Sequence, residues 1–177
     1  YTAILTVEYS DNGSSWTEAN NGLPYSTPHI DAFAVSPAPG GTGNNIFTID
    51  ADVYVSTDNG ARWWYTGWPF SAGSAKCLAI HGDNLFGGSD AGVWKYSLSP
   101  DTGWVVQQSG TSDTLFTVKA VDNNVVWTGG TSGGVFRTTN GGATWTSVGG
   151  GTIGSEVVYA VEALDANTAF ASTSSSI

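Results

Sequence analysis

The chain has no methionine, one cysteine and only five lysine and arginine residues together, and each shortage closes a route. With Cys77 alone no internal disulfide can staple the fold, and its setting in Lys76-Cys77-Leu78-Ala79-Ile80 reads as a strand interior where the thiol packs. Five bases against 15 acids leave a net charge of −10. A phosphate backbone is held by clustered Lys and Arg, so no nucleic-acid partner is expected. No apolar run approaches the roughly 20 residues of a membrane-spanning helix, and no basic-then-apolar leader is present, so the chain is not expected to span a membrane. Residue 1 is Tyr, and the chain reads as processed, trimmed or incompletely represented. No segment sustains an apolar face at i, i+3, i+4 and i+7. Instead, 24 Gly and 8 Trp describe turns and aromatic-rich strands. The expected fold class is all-β.

What is present is a repeat. Short turn phrases ending in Trp recur as SDNGSSW at Trp16, STDNGARW at Trp63, SPDTGW at Trp104 and TTNGGATW at Trp145, at intervals of 47, 41 and 41 residues. An independent series precedes them: Ala34-Val35, Ala79-Ile80, Ala120-Val121 and Ala163-Leu164. A third follows with Phe47, Phe86, Trp127 and Phe170, each in a short apolar run. Within a unit the order predicts four short strands separated by Gly, Asn and Asp. Four antiparallel strands per roughly 40–50 residues is the period of a β-propeller blade.

The spacing predicts one propeller domain over 1–177, with blades near 28–66, 75–108 and 114–148. Residues 156–177 supply the first two strands of a further unit and 1–24 the last two, so the two ends are expected to join as a fourth blade. The alternative is a four-blade portion of a larger propeller. An open half ring would expose sheet edges and apolar faces between blades, which invite aggregation unless something covers them.

The turn phrase has a mechanism. Asp or Asn accepts hydrogen bonds from backbone N–H groups a few residues on, Gly supplies a positive φ, and the following Trp covers the turn. In this form the chain resembles the Asp-box (BNR) repeat β-propellers of secreted bacterial multi-repeat type, whose signature runs Ser/Thr-x-Asp-x-Gly-x-Thr/Ser-Trp. Ser56, Asp58, Gly60 and Trp63 match it; Thr138, Asn140, Gly142, Thr144 and Trp145 match with Asn for Asp. Asp11, Gly13, Ser15 and Trp16 match with Tyr9 at the Ser/Thr position, and Ser99, Asp101, Gly103 and Trp104 form a shortened copy. The resemblance implies that these boxes are structural turns on the outer rim. It also implies a secreted, periplasmic or cell-surface location, and a family that spans sialidases, xyloglucan-cleaving hydrolases, sorting receptors and assembly factors; fold alone does not choose among them.

Composition narrows the choice. Sialidases of this kind hold the substrate carboxylate with three arginines, whereas this chain has only Arg62 and Arg137, both beside or within box hairpins. A glycosidase needs two carboxyls about 5–10 Å apart, and the acids available are Asp31, Asp50, Asp52, Asp90, Asp122 and Asp165. Asp50 and Asp52 depart most from the Gly/Ser-rich equivalent stretches, so Asp50, Asp52 and Asp31 are the candidates for a hydrolytic site. His29 and His81 lie in different units without ligand-spaced partners, and Asp11-Asn12-Gly13 and Asp58-Asn59-Gly60 lack the later Glu of a calcium loop. No metal site and no cofactor are expected, a structural calcium ion being the alternative. The aromatic run Trp63-Trp64-Tyr65-Thr66-Gly67-Trp68 is the most unusual feature, and exposed aromatics stack on sugar rings or anchor interfaces. Trp64, Tyr65 and Trp68 are therefore the expected contacts of a binding or assembly module that recognises a protein or glycan, on its own or as part of a larger assembly; the competing reading is a glycoside hydrolase or part of one.

Overall fold

A computed structural model describes residues 7–24, 30–37, 44–98 and 101–174. Strands follow one another without an α-helix among the described residues. The first hairpin is β1 (Glu8–Tyr9) and β2 (Thr17–Glu18). Three four-stranded sheets come next: β3 (Phe33–Pro37), β4 (Asn44–Asp50), β5 (Asp52–Ser56) and β6 (Trp64–Tyr65); β7 (Ala75–His81), β8 (Asn84–Ser89), β9 (Gly92–Leu98) and β10 (Asp101–Val106); β11 (Leu115–Ala120), β12 (Val126–Gly130), β13 (Val135–Thr138) and β14 (Thr146–Ser147). A last hairpin pairs β15 (Val158–Ala163) with β16 (Ala169–Thr173). Every sheet is an antiparallel meander in chain order. Each follows from short β-branched and aromatic runs cut by Gly, Asn and Asp turns.

The sheets stack face to face, with β3, β7, β11 and β15 packed in series as the innermost strands. Between the first two sheets lie Phe47, Ile49, Val53, Trp68 and Leu85, each at most 2% exposed. Phe86, Val93, Leu115 and Val126 fill the next interface, and Val158 and Val161 join Trp127 and Val135 in the third. Cys77 is buried in the second of these interfaces, donates its thiol to Leu115 O at 3.7 Å, and burial pushes its pKa up to about 12. At pH 7 it is a protonated packing group without thiolate reactivity.

Among the described residues the expected fourth blade is not assembled. β1–β2 and β15–β16 are separate two-stranded sheets, with no ladder between them among the described residues. The first hairpin packs Val7 and Ala19 on Tyr54 and Trp63 of the first four-stranded sheet, while the last packs on the third.

Candidate functional site

Three inner strands begin with the same irregularity. In β7, Ala75 pairs with Ser89 and Cys77 with Gly88; in β11, Leu115 pairs with Gly130 and Thr117 with Gly129; in β15, Val158 pairs with Thr173 and Ala160 with Ser172. Lys76, Phe116 and Tyr159 are the extra residues. Such bulges re-aim a side chain. Superposing the pair Ala34–Phe47 on Ala79–Phe86 makes Asp31 the equivalent residue of the first sheet; its N–H donates to Ile49 O at 3.2 Å. One position per unit thus carries an acid, a base and two aromatics at the same end of the stack, while the surrounding scaffold repeats.

These side chains are accessible. Asp31 is exposed, Lys76 half-buried, Phe116 36% exposed and Tyr159 58% exposed. The Phe116 and Tyr159 rings lie 6.1 Å apart at 30°, and Lys76 Nζ stands 3.6 Å from Asp90 Oδ2. Asp90 also accepts from Ser74 N at 3.3 Å and from the Thr114 hydroxyl at 3.4 Å. Asp31, Lys76 and Phe116 line a cleft of about 540 Å³ together with Asp50, Ala51 and Ser74.

The Asp50–Asp52 hairpin forms one wall. The two acids face each other across the β4–β5 ladder, and Ala51 between them has φ 59°, a left-handed conformation that costs a non-Gly residue about 1 kcal/mol. Asp50 is 6% exposed. Partial burial, and secondarily the Asp50 carboxylate, hold the Asp52 carboxyl above the usual range. A smaller cleft of about 340 Å³ lies against Ala51, Asp52, Gly73 and Ser74. Asp31, Asp50 and Asp52 are therefore brought to one end, whereas Asp122 and Asp165 serve turns elsewhere. Asp122 Oδ1 accepts from Val125 and Asn124 N–H, both at 2.7 Å, and Asp165 Oδ1 accepts from Asn167 and Thr168 N–H at 2.6 and 2.8 Å. These bonds hold both carboxyls below the usual range.

The three aromatics expected to act together are split. Trp64 and Tyr65 are 43% and 53% exposed on the outer strand β6. The Tyr65 hydroxyl donates to Trp68 O, and its pKa is raised by burial and then by Asp52, which places it beside the acidic hairpin. Trp68 is 2% exposed; its indole lies edge-on to Trp104 at 4.5 Å and donates to Gly73 O at 2.8 Å. As a packing residue between blades, Trp68 is removed from the contact surface.

The box turns lie at the opposite ends of the strands. Ser56 Oγ donates to Asp58 Oδ1 at 2.8 Å and accepts from Gly60 N at 2.8 Å, while Asp58 Oδ1 accepts from Arg62 N at 2.9 Å. Thr138, Asn140, Gly142 and Thr144 make the corresponding bonds. In the first copy Asn12, rather than Asp11, is the acceptor, taking Ser14 and Ser15 N–H at 2.8 and 3.0 Å, with Ser10 Oγ accepting from Gly13 N. This copy is one residue shorter, so the stapling side chain moves. Trp63 is buried and donates to Ala19 O at 2.7 Å; Trp104 donates to the Thr66 hydroxyl at 2.9 Å; Trp145 is half-buried and Trp16 exposed. In the third copy Asp101 opens β10 and Gly103 has φ 68°, while Ser99 and the candidate ligand His29 lie outside the described residues. Both arginines have aromatic neighbours: Arg62 stands over Trp64 at 5.9 Å and Arg137 over Trp127 at 5.4 Å. Among the described residues no three His, Cys, Asp or Glu side chains are grouped to hold a metal ion.

No family model and no curated protein matches the chain. Solved structures do. A GH74 enzyme of Niastella koreensis aligns with TM-score 0.70 at 18% identity, over 97% of this chain and 30% of that one. The extracellular domain of the BT4673 hybrid two-component system of B. thetaiotaomicron aligns with TM-score 0.68 at 14% identity, over 97% and 24%. YCF48 bound to D1 peptide aligns with TM-score 0.65 at 14% identity, over 92% and 52%. The likeness shows a β-propeller fold. The chain spans about a third of the GH74 enzyme, a quarter of the BT4673 domain and half of YCF48.

Proposed function

We propose that this chain is an extracytoplasmic binding module that recognises a protein segment or a glycan at the end of the stack where Asp31, Lys76, Phe116 and Tyr159 gather. The observation that carries the reading is the repeat-equivalent position itself: four units place four different side chains there, three of them re-aimed by bulges. A ligand could lay an apolar or sugar face on Phe116 and Tyr159 while its polar groups meet Asp31, Asp50 and Lys76 in the adjoining cleft. Trp64 and Tyr65, exposed on the outer strand β6, offer further aromatic contacts on its two faces. Peptide-bound YCF48 and the BT4673 extracellular domain support a binding role and an extracytoplasmic location by analogy of fold.

The test is a peptide library and a glycan array probed with the 177-residue chain. Replacing Phe116 and Tyr159 together by Ala should weaken binding to the hits about tenfold or more, equivalent to about 1.4 kcal/mol, without changing the unfolding midpoint by more than a few degrees. Trp64→Ala should have a smaller effect. Hits retained at full affinity by the double variant would place recognition elsewhere.

One observation favours a second reading, a glycoside hydrolase: Asp52, with its raised pKa, faces a second carboxylate across a strained turn. Release of reducing sugar from β-glucan substrates, abolished in both Asp50→Asn and Asp52→Asn, is the expected result under that reading; full activity in either variant removes that residue from the site.

A further inference from the structure

We propose that the groove between the outer strands of the second sheet and the box turn of the third binds an acidic polypeptide segment, a carboxylate resting on Lys95 and an aliphatic side chain on Val105 and Val106. The box turns lie at the opposite ends of the strands from Asp31 and Tyr159, so this is a second site on the chain.

The repeat builds the groove. Lys95 pairs with Phe86 on one side and Val105 on the other, so the three share the sheet face that packs toward the third sheet. Lys95, Ser97, Val105 and Gln107 border a volume of about 540 Å³ whose opposite wall is the turn at 140–143. The first hairpin forms an equivalent groove of about 420 Å³ against the box turn of the first sheet. There Tyr9 takes the place of Lys95, Thr17 and Glu18 those of Val105 and Val106, and Asp58 that of Asn140.

Three of these differences act together. The box acid is replaced by the neutral Asn140, while a base stands where other units carry Tyr9 and Val55. Lys76 and Lys119 are in ion pairs with Asp90 and Glu162. Lys95 Nζ instead donates to Gly141 O at 3.0 Å and stands 5.5 Å from the Phe86 ring centre. Neither partner carries a charge, and the ammonium has two further protons to donate. In a chain of net charge −10, a groove bordered by one lysine and no acid is complementary to a carboxylate. Arg137, at the equivalent position of the third sheet, also stands over its aromatic, Trp127, and donates to Ala166 O. Stapling of adjacent units thus accounts for the Gly141 contact, but not for the apolar wall beside it.

That wall is the third difference. Val105 and Val106 are 49% and 45% exposed, at positions filled by Thr17 and Glu18 in the first hairpin and by Thr146 and Ser147 in the third sheet. Two open valines beside a lysine suit a partner that offers an aliphatic group next to an acid. No aromatic side chain borders the groove, so it lacks the ring on which a sugar face stacks, whereas the amides of Gln107 and Gln108 suit a peptide main chain. This junction is also less tightly latched. Trp63 and Trp104 donate to the residue that follows the fourth strand of the preceding unit, Ala19 and Thr66. Trp145 Nε1 is buried without an acceptor among the described residues, and its counterpart Gln107 turns its amide to Val105 O at 3.1 Å.

The test is fluorescence anisotropy of a labelled peptide of alternating Glu and Val with the 177-residue chain at low salt. Saturable binding is expected, weakened as salt is raised and absent for the matching peptide of Gln and Val. Lys95→Gln should weaken it about tenfold or more. Because that variant also loses the Gly141 contact, two others carry the decision. Asn140→Asp restores the box acid that Asp58 supplies in the first sheet and puts a carboxylate into the groove; Val106→Ser copies Ser147 on an exposed strand. Each should weaken binding about fivefold or more with the unfolding midpoint unchanged, and the Phe116→Ala/Tyr159→Ala double variant should bind as the unmodified chain does. No saturable binding of the Glu and Val peptide, or full affinity in both Asn140→Asp and Val106→Ser, overturns the proposal. Equal affinity for a labelled oligogalacturonate, weakened alike by Asn140→Asp, would assign the groove to an acidic glycan and overturn the choice of a polypeptide.

Discussion

Trp68→Ala is expected to cost about 3–5 kcal/mol, the range for removing a fully buried large aromatic. In a chain of this size that corresponds to a fall of about 6–20 °C in unfolding midpoint. The indole sits between the first two sheets, against Trp94 at 6.2 Å and Trp104 at 4.5 Å. It also lies over Gly87, where an added Cβ would come within 2.7 Å of the ring. Main-chain strands on both sides are held by their own ladders, so the void cannot collapse fully, and the Gly73 carbonyl loses its indole donor. Trp64→Ala, four residues earlier on an exposed outer strand, should stay within about 0.5 kcal/mol. Thermal unfolding of the two variants side by side checks the assignment; equal midpoints would mean that Trp68 is not the packing element described.

The contrast also shows where sequence reasoning ends. The period and the strand order within a unit follow from turn chemistry and alternation, which are local, and they were legible. Trp68 was not, because it stands in a link between units where no alternation applies, and its burial depends on Gly87 in the next sheet. The candidate site was half legible. Asp50 and Asp52 stood out as departures from the repeat and Asp31 as a further available acid, but Lys76, Phe116 and Tyr159 were hidden by a one-residue offset. Ala34 and Ala79 face the aromatics Phe47 and Phe86, whereas in the later units Lys119 and Glu162 face Trp127 and Phe170. Counting from the Ala series therefore misaligns the bulge position by one. The ends were legible as half-blades by composition; whether they meet within one chain depends on the geometry of the whole stack, which no local pattern encodes.

Gly133→Ala should be nearly as damaging as the loss of Trp68, for a different reason. Gly133 has φ 68°, where an L side chain costs about 1 kcal/mol, and an added Cβ would stand 2.0 Å from the Gly154 carbonyl oxygen. That oxygen belongs to the main chain leading into β15, so the strain cannot be relieved by rotating a side chain. Gly133 N also donates to Glu156 O at 2.7 Å, which ties the β12–β13 turn to the same segment. Separating the two backbones enough to admit a methyl group breaks this bond and lifts β15–β16 from the third sheet. Overpacking of this kind costs about 1–3 kcal/mol, for a combined loss of about 2–4 kcal/mol with the φ term. Gly151 isolates the two contributions: its φ is 59° and nothing lies within 4 Å of its added Cβ. Gly151→Ala should therefore cost only about 1 kcal/mol, measured by denaturant unfolding with both variants at one temperature. Equal losses would show that backbone conformation alone is responsible, and that the close approach between the β12–β13 turn and the segment entering β15 does not hold the last hairpin in place.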